Sequence, residues 1–151
     1  MNRVTKILLL SICIVVLAAC TTDPKSSRGF RLPDGNIQKG QAVFVELQCN
    51  TCHQISGLDM PAPVQPGPVQ ITLGGTVRNV KTYGELVSSV INPSHKLISS
   101  YPKDQVSNDG ESLMTVYNDR MTVRQLIDLV AFLQSRYDVI VPDYAYTTYR
   151  Y

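Results

Sequence analysis

The sequence predicts an all-α domain framed by two helices, and three observations carry that reading. Residues 36–48 place Ile37, Gly40, Phe44 and Leu47 three and four apart, on one face of a helix. Thr122-Val123-Arg124-Gln125 fits a capping box and opens a second amphipathic run that continues to Arg136. Directly after the first run stands Cys49-Asn50-Thr51-Cys52-His53, two cysteines three apart with a histidine behind them.

That last pattern is the attachment signature of a c-type haem. Residues three apart in a helical turn share a face, so both sulfurs can reach the haem vinyl groups as thioethers while the next residue offers its imidazole to the iron. A zinc site would need a further Cys or Cys/His pair downstream, and the other two cysteines, Cys13 and Cys20, lie upstream. A redox dithiol or a plain disulfide is the remaining alternative, and neither accounts for His53.

The chain opens with a basic n-region (Arg3, Lys6), an apolar run from Ile7 to Leu17, and Leu17-Ala18-Ala19-Cys20. This resembles the signal peptide and lipobox of bacterial lipoproteins. It implies cleavage before Cys20, leaving residues 1–19 as signal peptide and a diacylglycerol on the Cys20 sulfur. The alternative is a signal anchor, but residues 7–19 fall short of the about 20 needed to span a bilayer. Several acyl chains hold a membrane far better than one. Thr21 and Thr22 after the cysteine resemble the sorting pattern for the outer membrane, on the periplasmic side.

All 12 acidic residues lie after Cys20, while Arg3 and Lys6 leave with the signal; removing those two from the 14 basic residues leaves the mature chain balanced. With two haem propionates added it is slightly acidic, which argues against nucleic acid as a partner. The remaining length suits one domain with one core.

Residues 20–35 are rich in Thr, Ser, Lys, Arg and Pro and read as a lipidated tether. Residues 36–137 make the domain. Tyr83 to Ile91 reads as a further helix stopped by Asn92-Pro93. Lys96 to Gly110 is a long loop, either a rim near the haem or a plain surface loop. In the last helix Val123, Leu126, Ile127, Val130, Leu133 and Tyr137 form an apolar stripe, with Arg124, Asp128 and Arg136 largely off it. Residues 138–151 form a tail with Tyr144, Tyr146, Tyr149 and Tyr151 that either wraps back or docks a partner.

The chain from Asn36 to Arg136 resembles the class I cytochrome c family. Gly40 and Phe44 look like the first partner of that family's crossing terminal helices, and Leu129-Val130-Ala131-Phe132-Leu133 like the second. Gly67-Pro68-Val69, followed by Gly74, Gly75 and Arg78, resembles its Gly-Pro loop and following arginine. The resemblance implies one covalent haem c between these helices, with the Pro68 carbonyl accepting from the free ring N–H of His53 and Arg78 serving a propionate. In the family the axial methionine precedes a Leu-Thr pair at the last helix. Met121-Thr122 stands there, which makes Met114 the candidate sixth ligand, although Thr115 follows it where the family usually has proline. Met60, Met121 and His95 are the rivals: Met60 is close to His53 in sequence, Met121 suits the core, and His95 sits at an exposed helix end.

His/Met ligation raises the reduction potential and leaves no open iron position. The expected role is therefore electron transfer between redox partner proteins by a lipid-anchored monohaem carrier, not catalysis. A haem subunit of a larger oxidoreductase, such as a thiosulfate-oxidising or dehydrogenase complex, is the second reading. A haem sensor with a labile distal position is the third.

Overall fold

The computed structural model describes residues 32–78 and 82–139. The expectations for the signal peptide 1–19, for Cys20, for the tether up to residue 31 and for the tail from residue 140 lie outside the described residues.

Asn36 caps the first helix, α1 (Ile37–Glu46), its side chain accepting from Lys39 N at 2.8 Å. The helix buries Gly40, Val43 and Phe44. A second helix, α2 (Tyr83–Ile91), opens on a Thr82/Glu85 capping box and buries Leu86, Val87 and Val90; Pro93 then begins a 3-10 turn. A single turn, α3 (Lys103–Val106), follows, and α4 (Val123–Gln134) opens on the Thr122/Gln125 capping box. Among the described residues no helix is long and apolar enough to cross a membrane.

The core lies where α4 packs against α1 and α2. Phe44, Val130 and Phe132 are its most buried large side chains. The Phe44 and Phe132 rings meet edge to face with centroids 5.8 Å apart. Gly40 lets the two backbones close, because a Cβ there would run into the Asp128 carbonyl and sit 2.7 Å from the Phe132 Cβ.

Two details of α4 differ from the sequence reading. Asp128, expected largely off the apolar stripe, is only 4% exposed, while Val123, expected on it, is 67% exposed. The Asp128 carboxylate accepts from Asn36 N at 2.7 Å, so it faces the start of α1 and satisfies a backbone donor there. Tyr137 does not extend the helix stripe. The helix stops at Gln134, and Tyr137–Val139 (β6) pairs in parallel with Gly75–Val77 (β3).

Two further ladders were not legible as strands. His53–Ile55 (β1) pairs in parallel with Ile71–Leu73 (β2), and Ser107–Asn108 (β4) pairs antiparallel with Glu111–Ser112 (β5). The second closes through Asp109 and Gly110, both at positive φ, a two-residue hairpin of the Asp-Gly kind. Part of the long 96–110 segment is therefore ordered.

Replacing Gly40 with alanine should cost about 1–3 kcal/mol, because the new methyl meets a backbone carbonyl that cannot step aside alone. Chemical denaturation of Gly40→Ala reads this directly. Unchanged stability would show that the helix contact is looser than described.

Candidate functional site

The end of α1 sets the motif. Gln48 adopts a left-handed conformation (φ 56°) that turns the chain into a 3-10 turn over Cys49–Thr51, closed by Cys52 N donating to Cys49 O at 3.2 Å. In a 3-10 turn residues three apart eclipse, so Cys49 and Cys52 share one side. Both thiols are free and half-buried.

The segment 67–71 clamps this turn. Gly67 N donates to Thr51 O and Ile71 N to Cys52 O, each at 2.8 Å, and the Gln70 side chain adds a bond to Thr51 O at 2.6 Å. Gly67 lies directly against the Cys52 sulfur: a Cβ there would collide with Sγ. Asn50, buried inside the motif, donates to Pro61 O at 2.9 Å.

His53 begins β1. Burial pushes its imidazole below the ordinary value, while the backbone of Ile71 works the other way. The neutral ring is the form that can ligate a metal. Its Nδ1 is buried without a hydrogen-bond partner, so the bond expected to the Pro68 carbonyl is not formed. β1 pairs His53 with Ile71, and Pro68 is exposed.

Burial also pushes the Cys49 thiol up to about 11, reinforced by the neighbouring Cys52 and only partly opposed by a backbone hydrogen bond. A reactive dithiol needs the opposite shift, since the thiolate is the nucleophile. Burial of Cys49 thus works against its thiolate form. Among the described residues no group of three or more His, Cys, Asp or Glu side chains could hold a metal ion.

Met114 is half-buried in the loop before α4, its N–H donating to Ser112 Oγ at 3.2 Å. Three residues on, Tyr117 donates its hydroxyl to Leu47 O at 2.8 Å, joining this loop to the end of α1. Burial, then the nearby Cys49, raises the Tyr117 phenol, with Cys52 adding to it and Thr115 and Arg120 opposing. The methionine loop is thus tied beside the two thiols. Sequence reasoning missed Tyr117, since a lone tyrosine outside any periodic run gives no signal.

The rival ligands fall elsewhere. His95 is exposed and its Nδ1 lies 2.6 Å from Asn92 O. Met121 is half-buried at the entrance to α4, its N–H bonded to Tyr117 O. Met60 lines a cavity of about 300 Å³ together with His53, Asp59 and Gln70; neither cysteine lines it. Arg78 follows β3 and is exposed.

Two free thiols on one side of a single turn, a neutral histidine with a buried unsatisfied nitrogen, and a glycine pressed on one sulfur fit a covalently attached haem. The fold and site define a small helical haem protein. A family model described as cytochrome c matches residues 37–136, and the chain belongs to that family. No match was found among curated proteins or among solved structures. The family's cofactor is a covalent haem c, and Cys49 and Cys52 stand in the attachment positions. The domain is an electron-carrier module that works with redox partners.

Proposed function

We propose that this chain is a lipid-anchored monohaem cytochrome c whose iron lies between His53 and Met114. It works on the periplasmic side of a bacterial membrane, the outer membrane by preference, held there by acyl chains on Cys20. The terminal helices cross at Gly40 and frame the haem. The observation that supports the ligation is the tether between Tyr117 and Leu47, which joins the loop bearing Met114 to the end of the helix that leads into Cys49.

The bound haem supplies a one-electron iron couple. The residues of the chain do the rest. Cys49 and Cys52 hold the group covalently, and the clamp of residues 67–71 fixes the turn that bears them. His53, neutral through burial, would present one ring nitrogen to the metal, and its Nδ1, buried without a partner, would donate to Pro68 O. A methionine thioether favours the reduced iron and raises the potential, while two protein ligands exclude water and oxygen from the metal. Arg78 is placed by this reading on a propionate. Leu113 and Val116, exposed on either side of Met114, offer apolar surface to a protein partner.

Met114→Ala should retain covalent haem, lose the weak far-red absorption band of methionine-ligated iron and lower the reduction potential; an unchanged spectrum would rule Met114 out. Cys20→Ser should move the protein from the detergent phase to the aqueous phase on Triton X-114 partitioning. Equal partitioning of the two forms would remove the lipid from the proposal.

A further inference from the structure

The loop that carries Met114 is suspended at both ends from other parts of the fold. On its leading side, Met114 N donates to Ser112 Oγ at 3.2 Å, and Ser112 N in turn donates to Ser94 Oγ at 3.0 Å, just past α2. On its trailing side, Asn118 Nδ2 donates to Ile91 O at 2.9 Å, the last residue of α2. These three bonds all lead back to one end of α2.

Leu113 N, directly before Met114, donates to Val106 O of α3 at 3.0 Å, and one further bond reaches the end of α1. The Tyr117 hydroxyl donates to Leu47 O at 2.8 Å, across 70 residues of sequence. Leu47 lies two residues before Cys49, on the backbone that fixes the first thioether sulfur. The Tyr117 carbonyl accepts from Arg120 N and Met121 N at 2.9 and 2.8 Å, closing a turn, and the Arg120 guanidinium lies 5.5 Å over the Tyr117 ring. The ring is thus held from behind while its hydroxyl reaches α1.

We propose that Tyr117 is a positioning residue for the sixth iron ligand: its hydroxyl, by holding Leu47 O, ties the loop that carries Met114 to the backbone that carries the haem. This rests on the assignment of Met114 as ligand. A thioether is a weak ligand on ferric iron, so whether it stays bound depends on the free energy needed to swing its loop away. Without the Tyr117 bond, the loop keeps its ties to α2 and α3 but loses the one to the end of α1, and the separation between ligand and haem is no longer set through one short path. The polar partner left behind, Leu47 O, is a helix-end carbonyl that water can reach when the loop lifts, which favours the open state further.

The test uses the intact holoprotein. In Tyr117→Phe the ring stays and the hydroxyl's bond to Leu47 O is lost together with its contact to the Thr115 side chain of the same loop, so the affinity of ferric protein for added imidazole, which competes with methionine, should rise about five-fold. The far-red methionine band should also disappear at a lower pH than in the wild type. Asn118→Ala, cutting the α2 tether, should move both readouts in the same direction. Ser89→Ala, which loses only an exposed 2.8 Å bond to Glu85 O within α2, should leave both unchanged. A merely structural Tyr117 would lower the unfolding midpoint and leave imidazole affinity and the band alone; that result overturns the proposal. If the wild type itself lacks the band and Met114→Ala is spectrally silent, the ligand assignment has failed and the positioning role falls with it.

Discussion

The site depends on the close approach of α1 to α4 at Gly40. A helix that ends in the haem motif can hold its two thiols in place only if its own axis is fixed, and α1, of ten residues, is too short to be stable alone. The missing side chain at position 40 allows backbone contact with Asp128, the Phe44 and Phe132 rings lock the faces, and the Asp128 carboxylate satisfies the first backbone donor. Stability gained in that interface is transmitted along α1 to Cys49.

Around that axis the motif is held by backbone rather than by charge. Thr51 and Cys52 carbonyls are bonded by Gly67, Gln70 and Ile71, and Leu47 by Tyr117. Burial moves both Cys49 and His53 toward their uncharged forms, and a neutral, low-dielectric setting suits a haem whose iron must change charge with little rearrangement.

The parts of the fold visible in the sequence are those written in local patterns. The capping box at Thr122 and Gln125, the helix from Tyr83 to Ile91 and the Cys-Asn-Thr-Cys-His turn each need only neighbouring residues to be recognised. What stayed hidden depends on distant partners. The ladders at His53–Ile55 and Gly75–Val77 are three residues long, too short for an alternating pattern to register. Asp128 reads as a solvated charge until the start of α1 is brought to it. The bond expected between His53 and Pro68 came from family resemblance and not from any local pattern, whereas the pairing of His53 with Ile71 depends on a strand further along the chain. Asp109-Gly110 did carry a hairpin signal, weakened by its polar flanks Ser107-Asn108.

The intact mass of the purified protein, taken under denaturing conditions after export in a host that matures c-type cytochromes, tests the covalent haem most directly. The site as described predicts a chain heavier by one haem, with both Cys49 and Cys52 blocked to alkylation. A chain of unmodified mass with two alkylatable cysteines, or haem that extracts into acidified organic solvent, would contradict it.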